Sequence, residues 1–146
     1  MNSTADQLAT HWQMTCAVTV RHAVTVLRQA GTAVTGKTLL AVIRSAPQTR
    51  EQAADPAFKE RSGCWRALDE ASVALSDRAD AQADWAAYHE AEAHFTQVLP
   101  ALGPAACALL VQSVAGVVLG LRGMEFELPP RAAWPTPAGP PPEAHP

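Results

Sequence analysis

The chain has 146 residues, with 11 Lys or Arg against 14 Asp or Glu and a formal net charge of −3. That length suits one domain with a real core. The three cysteines, Cys16, Cys64 and Cys107, are odd in number and far apart with no C-x-x-C, which argues against a redox motif and a zinc knuckle; no signal peptide is expected, and reduced thiols in a cytoplasmic protein are.

Thr4 and Gln7 fit a capping box that opens a first helix. Leu8, Trp12, Cys16, Val20, Val24 and Leu27 then recur at helical spacing, and Gly31 is placed to end the helix. Val18, Val20, Val24 and Val26 also alternate as a strand would, so the residues leave that option open here. Thr35 can cap a short helix over residues 36–44, with Leu39, Leu40 and Ile43 on its apolar side and Pro47 closing it. Asp55 followed by Pro56 marks the next start, a side-chain cap and then proline at the first helical position. Phe58, Trp65, Leu68, Ala71 and Leu75 form one apolar face of the helix expected from there. A further helix is expected over about residues 80–99, with Trp85, Tyr88, Ala91, Phe95 and Val98 inward.

From Thr96 to Leu121 the chain runs 26 residues without a charge. Pro100 and Pro104 confine its helical part to about 17 residues from Ala105, the short limit for crossing a bilayer. Gln112 and Ser113 lie in its middle, and Arg122 is the one basic flank nearby. The expectation is a buried central helix of a bundle or of a dimer, with Gly116 and Gly120 permitting a close helix crossing. From Pro129 onward eight of eighteen residues are proline, so residues 127–146 read as a disordered tail after a single domain over 1–126. The tail contains one minimal P-x-x-P, Pro137 to Pro140.

Two patterns suggest chemistry and lack the context it needs. Gly31 to Thr38 spells G-x-x-x-x-G-K-T, the phosphate loop in which backbone amides wrap phosphates and the Lys and Thr meet phosphate and magnesium. That loop requires a buried strand before it and an acidic residue ending a second strand, and no apolar run here ends in Asp or Glu. A helix stop at Gly31 and a helix start at Thr35 explain the same letters. In the run His89 to His94 the two histidines are five apart, not the four that set both on one helix face for zinc. Nothing signals a nucleophile elbow. A non-enzymatic protein without cofactor or metal is expected.

Charge is divided along the chain. Residues 1–66 hold eight Lys or Arg against four Asp or Glu, and the remainder hold three against ten. A basic half invites an anionic partner, or else attraction to the acidic half. Arginine outnumbers lysine nine to two, as in GC-rich bacterial or phage genomes.

The run from Ala23 to Ala46, AVTVLRQAGTAVTGKTLLAVIRSA, resembles the opening two helices of winged-helix and helix-turn-helix DNA-binding domains. The resemblance covers 24 residues. Pro47 and Pro56 bracket the segment that follows, so the first long helix beyond it begins at Pro56. The resemblance implies Arg50, Lys59, Arg61 and Arg66 as phosphate contacts. The sequence therefore sets two functional expectations on an all-α bundle of about five helices. The leading one is a small nucleic-acid-associated protein, a regulator or a subunit of a nucleoprotein complex. The other is a helical interaction or scaffold protein that self-associates through Gly116 and Gly120 without nucleic acid.

Overall fold

Glycine at position 31 adopts φ +77°, a left-handed backbone that β-carbon-bearing residues avoid. Around it Thr32 N–H bonds Leu27 O at 2.9 Å and Gly31 N–H bonds Arg28 O at 3.1 Å, the paired closure of a Schellman end. This stops α1, Thr4–Gln29, and the computed structural model describes residues 4–120 from that helix onward. The valines of α1 take helical geometry throughout, because helices pack on several sides of it.

Thr35 starts α2, Gly36–Arg44, through a capping box in which its hydroxyl accepts from Thr38 N–H and Thr38 Oγ1 accepts from Thr35 N–H. Two short helices follow, α3, Arg50–Ala54, capped by Thr49, and α4, Pro56–Arg61, capped by Asp55. The helix expected to run on from Pro56 is broken at Ser62, whose extended backbone caps a new helix, α5, Gly63–Ser76. Ser62 is held there by a 2.7 Å bond from its hydroxyl to Ser45 O, while Ser45 Oγ accepts from Cys64 N–H at 2.8 Å. The end of α2 thus fixes the start of α5.

The sixth helix, α6, spans Gln82–Leu102 and includes a π-helical turn, His94–Val98. The wide turn leaves Leu99 buried and Val98 47 % exposed, which corrects the inward placement of Val98. Gly103, at φ +92°, then turns the chain, and α7, Pro104–Gly120, leaves at 118° to α6. The fold class is all-α as expected. There are seven helices among the described residues rather than about five, since the Thr49 and Ser62 caps add two.

The centre of the bundle is α1, packed against α2, α5, α6 and α7. Ala23, Val26 and Leu27 meet Leu39, Ile43, Cys64, Leu68, Ala71, Leu75, Ala91 and Phe95 in one core. Of the two places expected for α7, the centre of this chain's own bundle is corrected. Its Cys107, Leu110 and Val114 are buried, but Leu109 is 51 % and Val117 68 % exposed. An ideal Cβ built on Gly116 meets nothing within 4 Å among the described residues, so no described helix crosses there. The proline-rich tail and its P-x-x-P lie outside the described residues. No single described helix is long and apolar enough to cross a membrane; one bent pair, Gln82–Leu102 with Pro104–Val117, passes by composition.

Candidate functional site

Of the four basic residues expected at a phosphate surface, Arg61 lies in a concavity among the described residues. Arg61 ends α4 and lines a groove of about 340 Å³ together with Arg44, Ser45, Ala46, Gln48, Gln52, Phe58 and Ser62. Arg50 opens α3, the helix that supplies Gln52 to this groove, and is itself exposed. Lys59 turns to α5, where its Nζ lies 4.8 Å from the centre of the Trp65 ring. Arg66 is on the solvent side of α5. Arg21 and Arg28 line a different groove with Gln29 and Asp84, against α6. The basic half is therefore divided over several surfaces. Arg44 was the residue missed: a basic residue in the last turn of a helix reads as a partner of the helix dipole, and only the tertiary turn at Pro47 sets it beside Arg61.

The second surface is the outer side of α7. Ala105, Ala108, Leu109, Gln112 and Gly116 are all exposed and recur at three or four residues, so they form one stripe. No charged residue interrupts it. Leu102, 41 % exposed, and Val98 carry apolar surface onto the end of α6. The inner side of α7 is tied down by Trp12 Nε1–H to Ser113 Oγ at 3.4 Å and by Cys107 Sγ–H to Leu99 O at 3.3 Å. Gly120 lies at the end of α7, and the backbone there is helical.

The third feature is a polar cluster between α1 and α6. His22 and His94 are 8 % and 6 % exposed, with ring centres 4.9 Å apart. Thr19 donates its hydroxyl hydrogen to Thr15 O at 2.8 Å, so Nε2–H of His94 donates to Thr19 Oγ1, also at 2.8 Å. Burial, aided by the Arg21 charge, pushes the His94 imidazole down to about 4. It is a neutral core histidine at physiological pH. His89 is exposed and within 3.5 Å of Glu92, so the two histidines of the HEAEAH run part company. No group of three potential metal ligands occurs among the described residues.

The phosphate-loop pattern is built as a helix-to-helix turn. A helix precedes it where a strand is required, and Thr38 Oγ1 is engaged with Ala33 O at 2.8 Å as well as with Thr35. Burial raises all three thiols, Cys64 to about 12, so none is primed as a nucleophile. No protein-family model, curated protein or solved structure matches this chain.

Proposed function

We propose that this is a non-enzymatic helical interaction protein, which assembles with a second copy of itself through the outer side of α7. The observation that carries this is the uncharged apolar stripe from Ala105 to Gly116, exposed on a helix that the fold holds firmly from behind. A two-fold contact sets the same patch against itself. A stripe bearing one sign of charge would repel its own copy, and this one has none. Gly116 supports close approach, since a Cβ there would meet nothing within 4 Å among the described residues. The area constrains the contact. A helix of 17 residues is about 25 Å long and offers roughly 250 Å² on one face, against about 800 Å² per partner in a stable complex. The contact therefore extends well beyond α7, beginning at the end of α6 with Val98 and Leu102.

Sedimentation velocity on the wild type and on Leu109→Asp tests the reading. The wild type should sediment as a dimer at micromolar concentration and the variant as a monomer. Equal mass for both would remove α7 as the contact.

A second reading, association with nucleic acid, is favoured by one observation: Arg44 and Arg61 share a groove with Arg50 close by in the chain. The helix pair that resembles a helix-turn-helix is α1 with α2, and the next helix, α3, has five residues, short for a reading helix. Cation placement supports this reading less than the first, because Lys59 and Arg66 lie elsewhere. Mobility-shift titration with DNA and RNA at low and moderate salt tests it. Each neutralised phosphate should give a log–log salt slope of about −0.9, and absence of any complex at low salt would exclude it. Reduced thiols and a cytoplasmic setting accord with either reading.

A further inference from the structure

We infer that the groove between α2 and α4 is a binding site for a terminal phosphate group, held between the guanidinium groups of Arg44 and Arg61. The inference is independent of the α7 contact. Its volume of about 340 Å³ is at the small end of the range for ligand sites, roughly 300–1,000 Å³. No carboxylate lines it, and neither arginine has an ion pair within the described residues.

The hydrogen-bonding inventory of the walls points to an acceptor as ligand. Ser45 Oγ–H is given to Ala41 O at 2.6 Å and Ser62 Oγ–H to Ser45 O at 2.7 Å. The same two oxygens already accept from Cys64 N–H and Trp65 N–H. The Gln52 carbonyl oxygen accepts from Gln48 N–H at 2.8 Å, which orients its NH₂ group as the free end. Among the side chains, donors predominate in what remains to meet a ligand: two guanidinium groups and the Gln52 NH₂, beside a Gln48 amide that can donate as well as accept. A group rich in oxygen acceptors satisfies this set, and arginine forks match phosphate geometry. Each arginine also ends a helix, where the dipole welcomes a cation. That explains each one singly but not their meeting in one concavity.

Charge selects a terminal phosphate over an internal one. A monoester carries about −1.5 to −2 at pH 7, a match for two cations, while a diester carries one negative charge. Phe58 and Ala46 give the groove an apolar wall for a flat group attached to the phosphate. The source of the phosphate is either a small phosphomonoester or the 5′-phosphorylated end of a nucleic acid strand.

The test is calorimetric titration of the full chain with phenyl phosphate, alongside NMR of the Phe58 ring and the Gln52 side-chain amide. Phenyl phosphate should bind and shift both signals, and Arg44→Gln with Arg61→Gln should weaken it at least about tenfold without lowering the melting temperature. A 5′-phosphorylated oligonucleotide that displaces phenyl phosphate where its 5′-hydroxyl twin does not would identify a strand end as the source. Displacement by neither would leave a small phosphomonoester. Equal displacement by both would overturn the choice of a terminal phosphate. No binding of phenyl phosphate to the wild type at millimolar concentration, or binding indifferent to the two arginines, would overturn the site itself.

Discussion

Acid should loosen this fold by way of His94, and the size of the effect follows from its surroundings. The imidazole titrates near 4 in the folded chain and near 6.5 when exposed, because its packing against Phe95 and His22 excludes water and Arg21 opposes a second positive charge. The folded pKa is the lower one. The stability that depends on a neutral His94 is therefore complete above pH 6.5 and is lost as pH falls toward 4. At about 1.4 kcal/mol per pH unit, the full loss is about 3 kcal/mol, of which about 2 kcal/mol is already gone at pH 5. A variant that cannot titrate at position 94 separates the histidine from general acid unfolding. The control is His94→Gln, which keeps a donor for Thr19 and does not titrate. Urea unfolding of both proteins at pH 7.5 and pH 5 measures the difference. The wild type should lose about 2 kcal/mol more than the variant between the two pH values. Equal losses would show that His94 is hydrated in the folded chain and would refute the reasoning.

Phe95 is fully buried at the π turn, and Phe95→Ala should cost about 3–5 kcal/mol in chemical unfolding; a cost below about 1 kcal/mol would mean the core re-forms around the gap. Ser62→Ala removes both the cap on α5 and the bond to Ser45 O, and should cost about 1–2 kcal/mol in the same assay. A neutral result there would mean that α4 and α5 fuse into one helix without loss. ATP should leave the melting temperature of the wild type and of Lys37→Ala unchanged, since the loop before Lys37 follows a helix. A stabilisation near 2.7 kcal/mol at a hundredfold excess over Kd, absent in the variant, would restore the phosphate loop.

The local punctuation of this chain was legible because its causes are local. Gly31, Thr35 and the Asp55-Pro56 pair act within four residues of themselves, and each ends or starts a helix where expected. The break at Ser62 was not legible, because its anchor is the carbonyl of Ser45, 17 residues away. Nor was the choice of central helix. The uncharged run suggested α7, but lack of charge says only that a helix can be buried. Position in the bundle depends on how many neighbours reach it, and four helices reach α1. Of the two arginines that line the groove, Arg61 was among the basic residues singled out in the sequence and Arg44 was not, since their meeting depends on the turn through Pro47. The pairing of His94 with Thr19 spans 75 residues and leaves no trace in spacing.

The claim that the outer side of α7 joins two copies of the chain is tested most directly by sedimentation equilibrium of Gly116→Leu beside the wild type. A Cβ at position 116 meets nothing within 4 Å among the described residues, so helical content and melting at high dilution should not change. If the partner's backbone closes over Gly116, the added side chain should force the helices apart. The wild type should then fit a dimer and Gly116→Leu a monomer at the same micromolar concentration. A monomeric wild type, or two proteins of equal dimeric mass, would contradict the account.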